Sequence, residues 1–292
     1  MSSSRAAVDP QEKIVRPGLA VTYEGEGASF LERVLPLVNC VEVTPDGVAE
    51  DRRGDAVLNG SAMANIAAVS SKAKVLVHGV GLSIGSHEGY SEQYINLLDQ
   101  FVKQVDVHWH SEHLGYTMVD NENLGTMLAL PKTQEVFDMI CKRVSEIQDR
   151  YDLPFLLENV VHILPDYQGD YSEAEFLNAL VEKTGCGLLL DVYNLECDAQ
   201  NHGFDIDRFL GELDHHHVRE IHVACGVEHK GFLLDIHSRR LRDSTIGLAR
   251  KVVDSAQGAV EVVTYELVSE AVPILGYDLI ADEVKRLREA LL

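Results

Sequence analysis

The 292-residue chain contains no apolar run near the roughly 18 residues of a membrane-spanning helix, so we expect no membrane partner. Its start, MSSSRAAVDPQEK, lacks a hydrophobic stretch and predicts a disordered leader over residues 1–14 rather than a secretory signal. The five cysteines are odd in number and show no CxxC spacing, which argues against a disulfide framework or a zinc ribbon. Reduced thiols of this kind predict a cytoplasmic protein.

Basic residues are also scarce, with 25 Lys and Arg against 47 Asp and Glu and a formal net charge of −22. Nucleic acids and anionic membranes are bound by neutralising their phosphates, so we expect neither as a partner. The acidity fits either a basic partner or solubility alone. The chain lacks a phosphate loop, a GxSxG elbow and a Rossmann fingerprint, which disfavours three common classes of enzyme.

Eight apolar runs of strand length alternate with amphipathic helical segments. The candidate strands cover residues 16–22, 39–44, 74–78, 105–109, 154–158, 187–191, 218–224 and 261–266. Helical patterns include residues 91–103, 133–151, 172–184 and 206–213. This alternation, with no break in composition, predicts one α/β domain over residues 15–292, a (β/α)8 TIM barrel. An open doubly wound sheet is the alternative, but it gathers its site at a single switch point.

Seven short apolar runs carry residues that can bind a metal or move a proton at or near their ends. They are VLVHG with His78, WHSEH with His113, FLLEN with Glu158, LLLDVYN with Asp191 and Asn194, EIHVA with His222, LLDIH with Asp235 and His237, and VVTYE with Glu266. A buried charge without a partner is costly, so these residues predict a shared centre. In a barrel, the carboxyl ends of the strands converge on one mouth, where we expect that centre.

The types of these residues favour a metal cluster. Glu158 is the strongest candidate because its two oxygens can bridge two cations, and Asp191 and Asn194 offer oxygen to a hard or borderline metal. Asp235 and His237 share one face of an extended segment and can reach one ion. Histidine, carboxylate and amide ligands without thiolate favour iron or manganese over structural zinc, and more than four ligands imply more than one ion. We expect Glu158 and Asp191 to be catalytic.

The segment HSEHL contains several candidates within four positions. One of His110, Glu112 and His113 can face the lumen while the others brace it. His108 and His110 are more typical of ordinary polar residues on the rim than of metal ligands.

Several motifs together resemble a known family, the multinuclear non-haem iron-dependent oxidative enzymes (MNIO), long catalogued as a domain of unknown function. They are HGVGLSIGS, SEHL, LLEN followed by SEAEFL, TGCGLLLDVYN, NHGFD, VREIHVA, LLDIHS and a final YE, in order across about residues 16–270. The resemblance implies a xylose-isomerase-like barrel that holds two or three iron ions of mixed valence and uses O2. Members of this family oxidise residues, often cysteine, in ribosomally made peptides, commonly with a partner protein that presents the peptide.

The resemblance also implies a division of the ligands. One iron would be held by His78, His113 and Glu158. A second would be held by Glu158, Asp191, His222 and Glu266, with Glu158 bridging. A third, more labile iron would be held by Asn194, Asp235 and His237. Either Asp191 or Asn194 could instead support other ligands from behind.

Two stretches depart from the more familiar motifs, CVEVTPDGVAE at the second strand and YELVSEAVPILG at the end, and they leave the modified residue open. A metal-dependent sugar isomerase or phosphodiester hydrolase on the same barrel is an alternative. The motifs contain no lysine, which disfavours the isomerase, and the net charge of −22 disfavours the hydrolase. A barrel that only binds a partner is a third possibility, against which the complete ligand set argues.

Overall fold

A closed parallel barrel forms the centre of the fold in the computed structural model, which describes residues 16–52, 55–120, 122–165 and 169–292. Its strands are β1 (Gly18–Tyr23), β2 (Cys40–Val43), β3 (Lys74–Gly79), β4 (Val107–His113), β5 (Phe155–Glu158), β6 (Gly187–Asp191), β7 (Val218–Val223) and β8 (Val262–Tyr265). Each strand pairs in parallel with the next, and β8 pairs with β1. The predicted TIM barrel is therefore confirmed, and each candidate strand overlaps one barrel strand.

The helices connect these strands. In the described part of the chain they are α1 (Ala28–Val34), α2 (Gly60–Ser70), α3 (Glu92–Val102), α4 (Gln134–Tyr151), α5 (Glu173–Thr184), α6 (Val192–His202), α7 (Ile206–Glu212), α8 (Asp243–Ser255), α9 (Val272–Leu275) and α10 (Tyr277–Leu291). Local sequence sets their ends. Helix α5 begins with a capping box between Ser172 and Glu175 and ends at Gly185, whose left-handed backbone (φ 72°) suits glycine.

The fourth strand is longer than its sequence predicts. The apolar run ends at Trp109, but β4 continues to His113 because His110, Glu112 and His113 pair with β5. Pairing of the backbone with β5 thus extends the strand through HSEH, although these side chains are polar. His108 and His110 therefore lie within the strand rather than on the rim.

Three hairpins were not predicted from the sequence. They are Ala49–Arg52 with Asp55–Leu58, Gly115–Val119 with Glu122–Ala129, and Val227–His229 with Phe232–Leu234. They follow β2, β4 and β7, and so extend from the carboxyl ends of these strands. Their polar, irregular sequences do not show the strict alternation of a half-buried strand.

Side chains alternate between the two faces of each barrel strand, and this alternation builds the interior. One face packs against the helices in the main core. The other face contributes a separate apolar cluster, which we call the plug: Ala20, Cys40, Leu76, Trp109, Leu156, Leu189 and Val262. All seven are buried, so the plug fills the barrel below its carboxyl end.

Three expectations from the sequence concern the leader, membrane-spanning helices and the cysteines. The leader expected over residues 1–14 lies outside the described residues. None of the helices in the described ranges combines the length and apolar character that crossing a bilayer requires. All five cysteines are buried and carry free thiols.

Candidate metal centre

A ring of buried polar residues lies directly above the plug. Moving two residues along a strand keeps the same face, so Leu156 is followed by Glu158 and Leu189 by Asp191. The same step places His78 above Leu76 and Glu42 above Cys40. These residues are almost inaccessible to solvent, and so are His222 on β7 and Thr264 on β8, which lie in register with Asp191. The ring contains Glu42, His78, Glu158, Asp191, His222 and Thr264.

The first ligand group is built on Glu158. Its Oε2 lies 3.2 Å from His78 Nε2 and 3.4 Å from His113 Nε2. His113 reaches the group because it is the last residue of the extended β4, directly opposite Glu158. One ligand atom from each of these three residues lies within 4.8 Å of the other two.

The second group shares Glu158 with the first. His222 Nδ1 lies 3.6 Å from Glu158 Oε1 and 3.0 Å from Glu266 Oε2. Ligand atoms of Glu158, Asp191, His222 and Glu266 are all within 4.8 Å of one another. The two oxygens of Glu158 therefore face different groups, as bridging two cations requires.

The third predicted group lies beside Glu266. His237 Nδ1 is 3.2 Å from Glu266 Oε1, and His237 Nε2 is 2.5 Å from Asp235 Oδ1. The extended segment predicted for these residues is wrong, because His237 has φ 36° in the left-handed region. Asp235 and His237 lie beyond the strand that ends at Leu234, so irregular backbone, rather than strand alternation, brings them together. Asn194, on the first turn of α6, is buried and donates its side-chain amide to the Asn159 carbonyl.

Unpartnered polar atoms indicate whether metal ions fit these groups. Buried polar atoms normally have hydrogen-bond partners, and leaving one unpaired is costly. Among the described residues, six of the nine predicted ligands carry a buried polar atom that makes no hydrogen bond: His78 Nε2, Glu158 Oε2, Asp191 Oδ2, Asn194 Oδ1, Asp235 Oδ1 and His237 Nε2. Four of these atoms form two close pairs, His78 Nε2 with Glu158 Oε2 and His237 Nε2 with Asp235 Oδ1, so they face each other without hydrogen-bond geometry. The donor set is oxygen and imidazole nitrogen, so the residues fit a cluster of hard or borderline cations.

Several of the predicted ligands are held in place from behind. His78 Nδ1 lies 3.0 Å from Ser111 Oγ, and His113 Nδ1 lies 3.1 Å from the Gly79 carbonyl. These contacts leave Nε2 of each imidazole to face Glu158. Asp191 Oδ1 accepts the backbone N–H of Asn194 at 2.7 Å, which leaves Oδ2 for the second group. Support of this kind orients metal ligands and raises their affinity.

Burial and mutual charge strongly shift the pKa values of several predicted ligands. Burial opposes the charge of His222, but Glu42 and Glu266 outweigh it and hold the pKa of His222 well above its usual value. Burial likewise opposes ionisation of Glu266, yet His237 and His222 hold its pKa well below the usual range. Burial, with Asp235 and Glu158 nearby, raises the pKa of Asp191 well above normal. The raised pKa values mean that His222 and Asp191 hold protons which a metal ion would replace. Metal binding is therefore expected to release protons.

Sequence reasoning missed two buried carboxylates inside the barrel. Glu42 Oε2 lies 3.1 Å from His222 Nε2, and Glu220 accepts hydrogen bonds from Trp109 Nε1 at 2.7 Å and Thr264 Oγ1 at 2.6 Å. An acidic residue inside the apolar runs CVEV and VREIHV is the signal that could have found them. Glu112, predicted as support, lies on the opposite face of β4 and contacts His110 Nε2 at 2.9 Å.

The fold and this ring define a xylose-isomerase-like TIM barrel with a candidate multinuclear metal centre at its carboxyl end. Solved structures support the fold alone. D-psicose 3-epimerase from Clostridium cellulolyticum H10 matches with a TM-score of 0.55 at 12% identity, covering 93% of this chain and 97% of that one. The 3-keto-D-glucoside 4-epimerase YcjR from E. coli matches with a TM-score of 0.53 at 12% identity, covering 94% and 100%.

The chain belongs to the family of RiPP precursor modification enzymes MbnB/TglH/ChrH, whose sequence model matches residues 27–289. The resemblance inferred from the motifs is thereby confirmed, and the family implies a peptide substrate. A UPF0276 protein of Caulobacter vibrioides is 33% identical over 220 residues, 75% of this chain and 76% of that protein. The UPF0276 protein RB0508 of Rhizobium meliloti is 30% identical over 227 residues, 75% and 72% of the two chains.

Proposed function

We propose that this chain is an iron- and O2-dependent oxidative enzyme that modifies cysteine in a ribosomally made peptide. The observation that carries the proposal is a set of adjacent ligand groups that share Glu158, in a member of a family of RiPP precursor modification enzymes. Cysteine is favoured because its thiolate is a ligand that an iron ion at the open mouth can hold. The reduced, buried thiols of the chain fit a cytoplasmic location.

In this proposal, two or three iron ions of mixed valence are held at the mouth. The first is held by His78, His113 and Glu158, the second by Glu158, Asp191, His222 and Glu266, and the third by Asn194, Asp235 and His237. Iron held there would supply one-electron chemistry with O2.

The chain's own residues prepare the site for this chemistry. Glu158 balances the charge of two groups through its two oxygens, and Asp191 presents Oδ2 because the Asn194 N–H fixes Oδ1. The plug excludes water from below, so the peptide and O2 approach from the mouth. A dry floor strengthens the electrostatic interactions inside the ring.

The metal content is the first test. The protein is purified without oxygen, its iron is counted per chain, and Mössbauer and EPR spectra are recorded. We expect two or three iron ions with spectra of interacting ions. One zinc ion per chain without iron would contradict the proposal.

The reaction is the second test. Neighbouring genes are searched for a short cysteine-containing precursor, which is incubated with the iron-loaded protein, with and without O2, and analysed by mass spectrometry. A second series adds any neighbouring protein that could present the peptide. We expect a mass change confined to a cysteine-containing fragment and dependent on O2. Turnover of a sugar or phosphodiester in the strict absence of O2, with no change in the peptide, would favour the isomerase or hydrolase instead.

A further inference from the structure

The fully buried imidazole of His222 has a carboxylate against each of its two nitrogens. Nδ1 faces the mouth, 3.0 Å from Glu266 Oε2 and 3.6 Å from Glu158 Oε1. Nε2 faces the interior, 3.1 Å from Glu42 Oε2. Glu42 and His222 are both inaccessible to solvent, so water does not screen this contact.

Only one of these nitrogens can bind a metal ion while the other carries a proton. A neutral imidazole has one lone pair and one N–H, and the lone pair is the ligand. Nδ1 is the nitrogen closest to Glu158 and Glu266, the carboxylates that share the second group with His222. The N–H then lies on Nε2 and points at Glu42.

We propose that Glu42 is a positioning residue of the metal centre: its carboxylate accepts the Nε2–H of His222 and fixes Nδ1 as the ligand of the second ion. This inference rests on the proposed metal centre. Metal-bound histidines commonly donate their other N–H to a carboxylate, which fixes the tautomer and makes the ligating nitrogen more basic. No residue of β2 was among the predicted ligands. Through Glu42, β2 also contributes a side chain to the proposed centre.

The barrel holds Glu42 in this position. Its strand pairs with β1 and β3, which places Glu42 beside Thr22 and Leu76 inside the closed barrel. The neighbouring carboxylate, Glu220, is 3.9 Å from His222 Nε2 and is engaged by Trp109 and Thr264 instead. Glu42 is thus the closer acceptor, while Glu220 offers a matched control that is equally buried.

A different role for Glu42 can be distinguished by experiment. Ligand atoms of Glu42, His78 and His222 also lie within 4.8 Å of one another, and Glu42 Oε1 has no hydrogen-bond partner among the described residues. Glu42 could therefore be a direct ligand. That arrangement would need Nε2 of His222 for the metal and would leave no N–H to donate to Glu42.

The test uses the full-length protein, metal-free and then titrated with Co²⁺ under anaerobic conditions. The variants are Glu42→Gln, which keeps an acceptor oxygen, Glu42→Leu, which removes it, and Glu220→Gln as the control. Binding is followed by the visible Co²⁺ absorption. NMR detects the exchangeable, paramagnetically shifted N–H signals of metal-bound histidines, and circular dichroism verifies folding.

We expect Glu42→Leu to weaken one class of Co²⁺ sites about 10- to 100-fold and to abolish one shifted N–H signal. Glu42→Gln should retain the signal at a changed position with a smaller loss of affinity. Glu220→Gln should retain the wild-type Co²⁺ affinity and the wild-type N–H signal. Unchanged affinity and signals in both Glu42 variants would overturn the inference. Loss of a whole ion in Glu42→Gln, as complete as in Glu42→Leu, would instead make Glu42 a ligand. Failure of the wild-type protein to bind metal would count against the proposed function itself.

Discussion

Substitution Glu158→Gln tests whether two ligand groups depend on one carboxylate. One oxygen of Glu158 faces His78 and His113 at 3.2 and 3.4 Å, and the other faces His222 at 3.6 Å. Glutamine has nearly the same volume, but its amide nitrogen cannot bind a cation. Whichever way the amide turns, one group loses its oxygen, and both lose the negative charge.

The expected loss is large. Removing a group that only supports a ligand costs about 10- to 100-fold in metal affinity, so removing a shared ligand should cost more than about 100-fold at one site and weaken the other. The measurement is iron per chain after anaerobic loading with Fe²⁺, with Mössbauer spectra to detect interaction between ions. We expect at least one ion fewer than in the wild type and no spectrum of interacting ions.

Asp235→Asn is the matched comparison, because Asp235 contacts His237 in the third group and does not share the oxygens of Glu158. It should remove one ion and leave the interacting pair. Circular dichroism and urea unfolding of the metal-free variants verify that each has folded. If Glu158→Gln kept the wild-type iron content and spectrum, the bridging role of Glu158 would be refuted.

Three further predictions concern the frame around the site. In Gly79→Ala, the new Cβ would overlap Glu112 Oε1 and Tyr94 OH, both buried, so urea unfolding should show a loss of about 1–3 kcal/mol in the free energy of unfolding; wild-type stability would contradict this packing. Burial raises the pKa of Glu112 from 4.5 to about 8, so the folded state binds this proton more tightly than the unfolded state. The metal-free wild type should therefore lose stability as pH rises from 4.5 towards 8, by about 1.4 kcal/mol for each step of one in pH. Glu112→Gln should lower the slope by that amount, since Asp191 and other buried carboxylates with raised pKa values still contribute to it, whereas Glu182→Gln, on an exposed position, should leave it unchanged; equal slopes in the two variants would refute the assignment. Ser172→Ala removes the cap of α5 and should cost about 1 kcal/mol, measured as a lower urea midpoint, which an unchanged midpoint would contradict.

The barrel was predictable because its strands are buried on both faces. Such strands are continuous apolar runs, and they stand out in sequence whichever way their side chains point. Glu158 and Asp191 were predictable for the same reason, since each is the last residue of a run such as FLLE or GLLLD. Once the barrel is predicted, its topology alone places the last residues of these strands at the mouth.

The inward face of each strand was harder to predict. Alternation fixes which residues share a face, but a continuous apolar run does not say which face is the lumen. Glu42 and Glu220 were missed for this reason, because only the plug shows that their faces point inward. Glu112 and His113 are neighbours in sequence, and alternation sends them to opposite faces of β4.

Contacts made outside the barrel strands were the least predictable. The pair Asp235 and His237 was found by its spacing, but His237 has a left-handed backbone. Histidine adopts that conformation more often than most residues, yet the sequence does not say at which position it does so. The three hairpins carry little apolar alternation, and so gave no sequence signal.

The alternation that stacks the ring on the plug would make the metal content of the proposed centre a measure of strand register. A slip of one residue in any barrel strand would turn its polar ring residue towards the helices and its neighbour into the lumen. Six strands, β3 to β8, supply His78, His113, Glu158, Asp191, His222 and, one residue beyond β8, Glu266. A chain that loads its full set of ions has therefore paired all six correctly. Counting metal during refolding would distinguish native barrels from compact misregistered ones that have the same helical content.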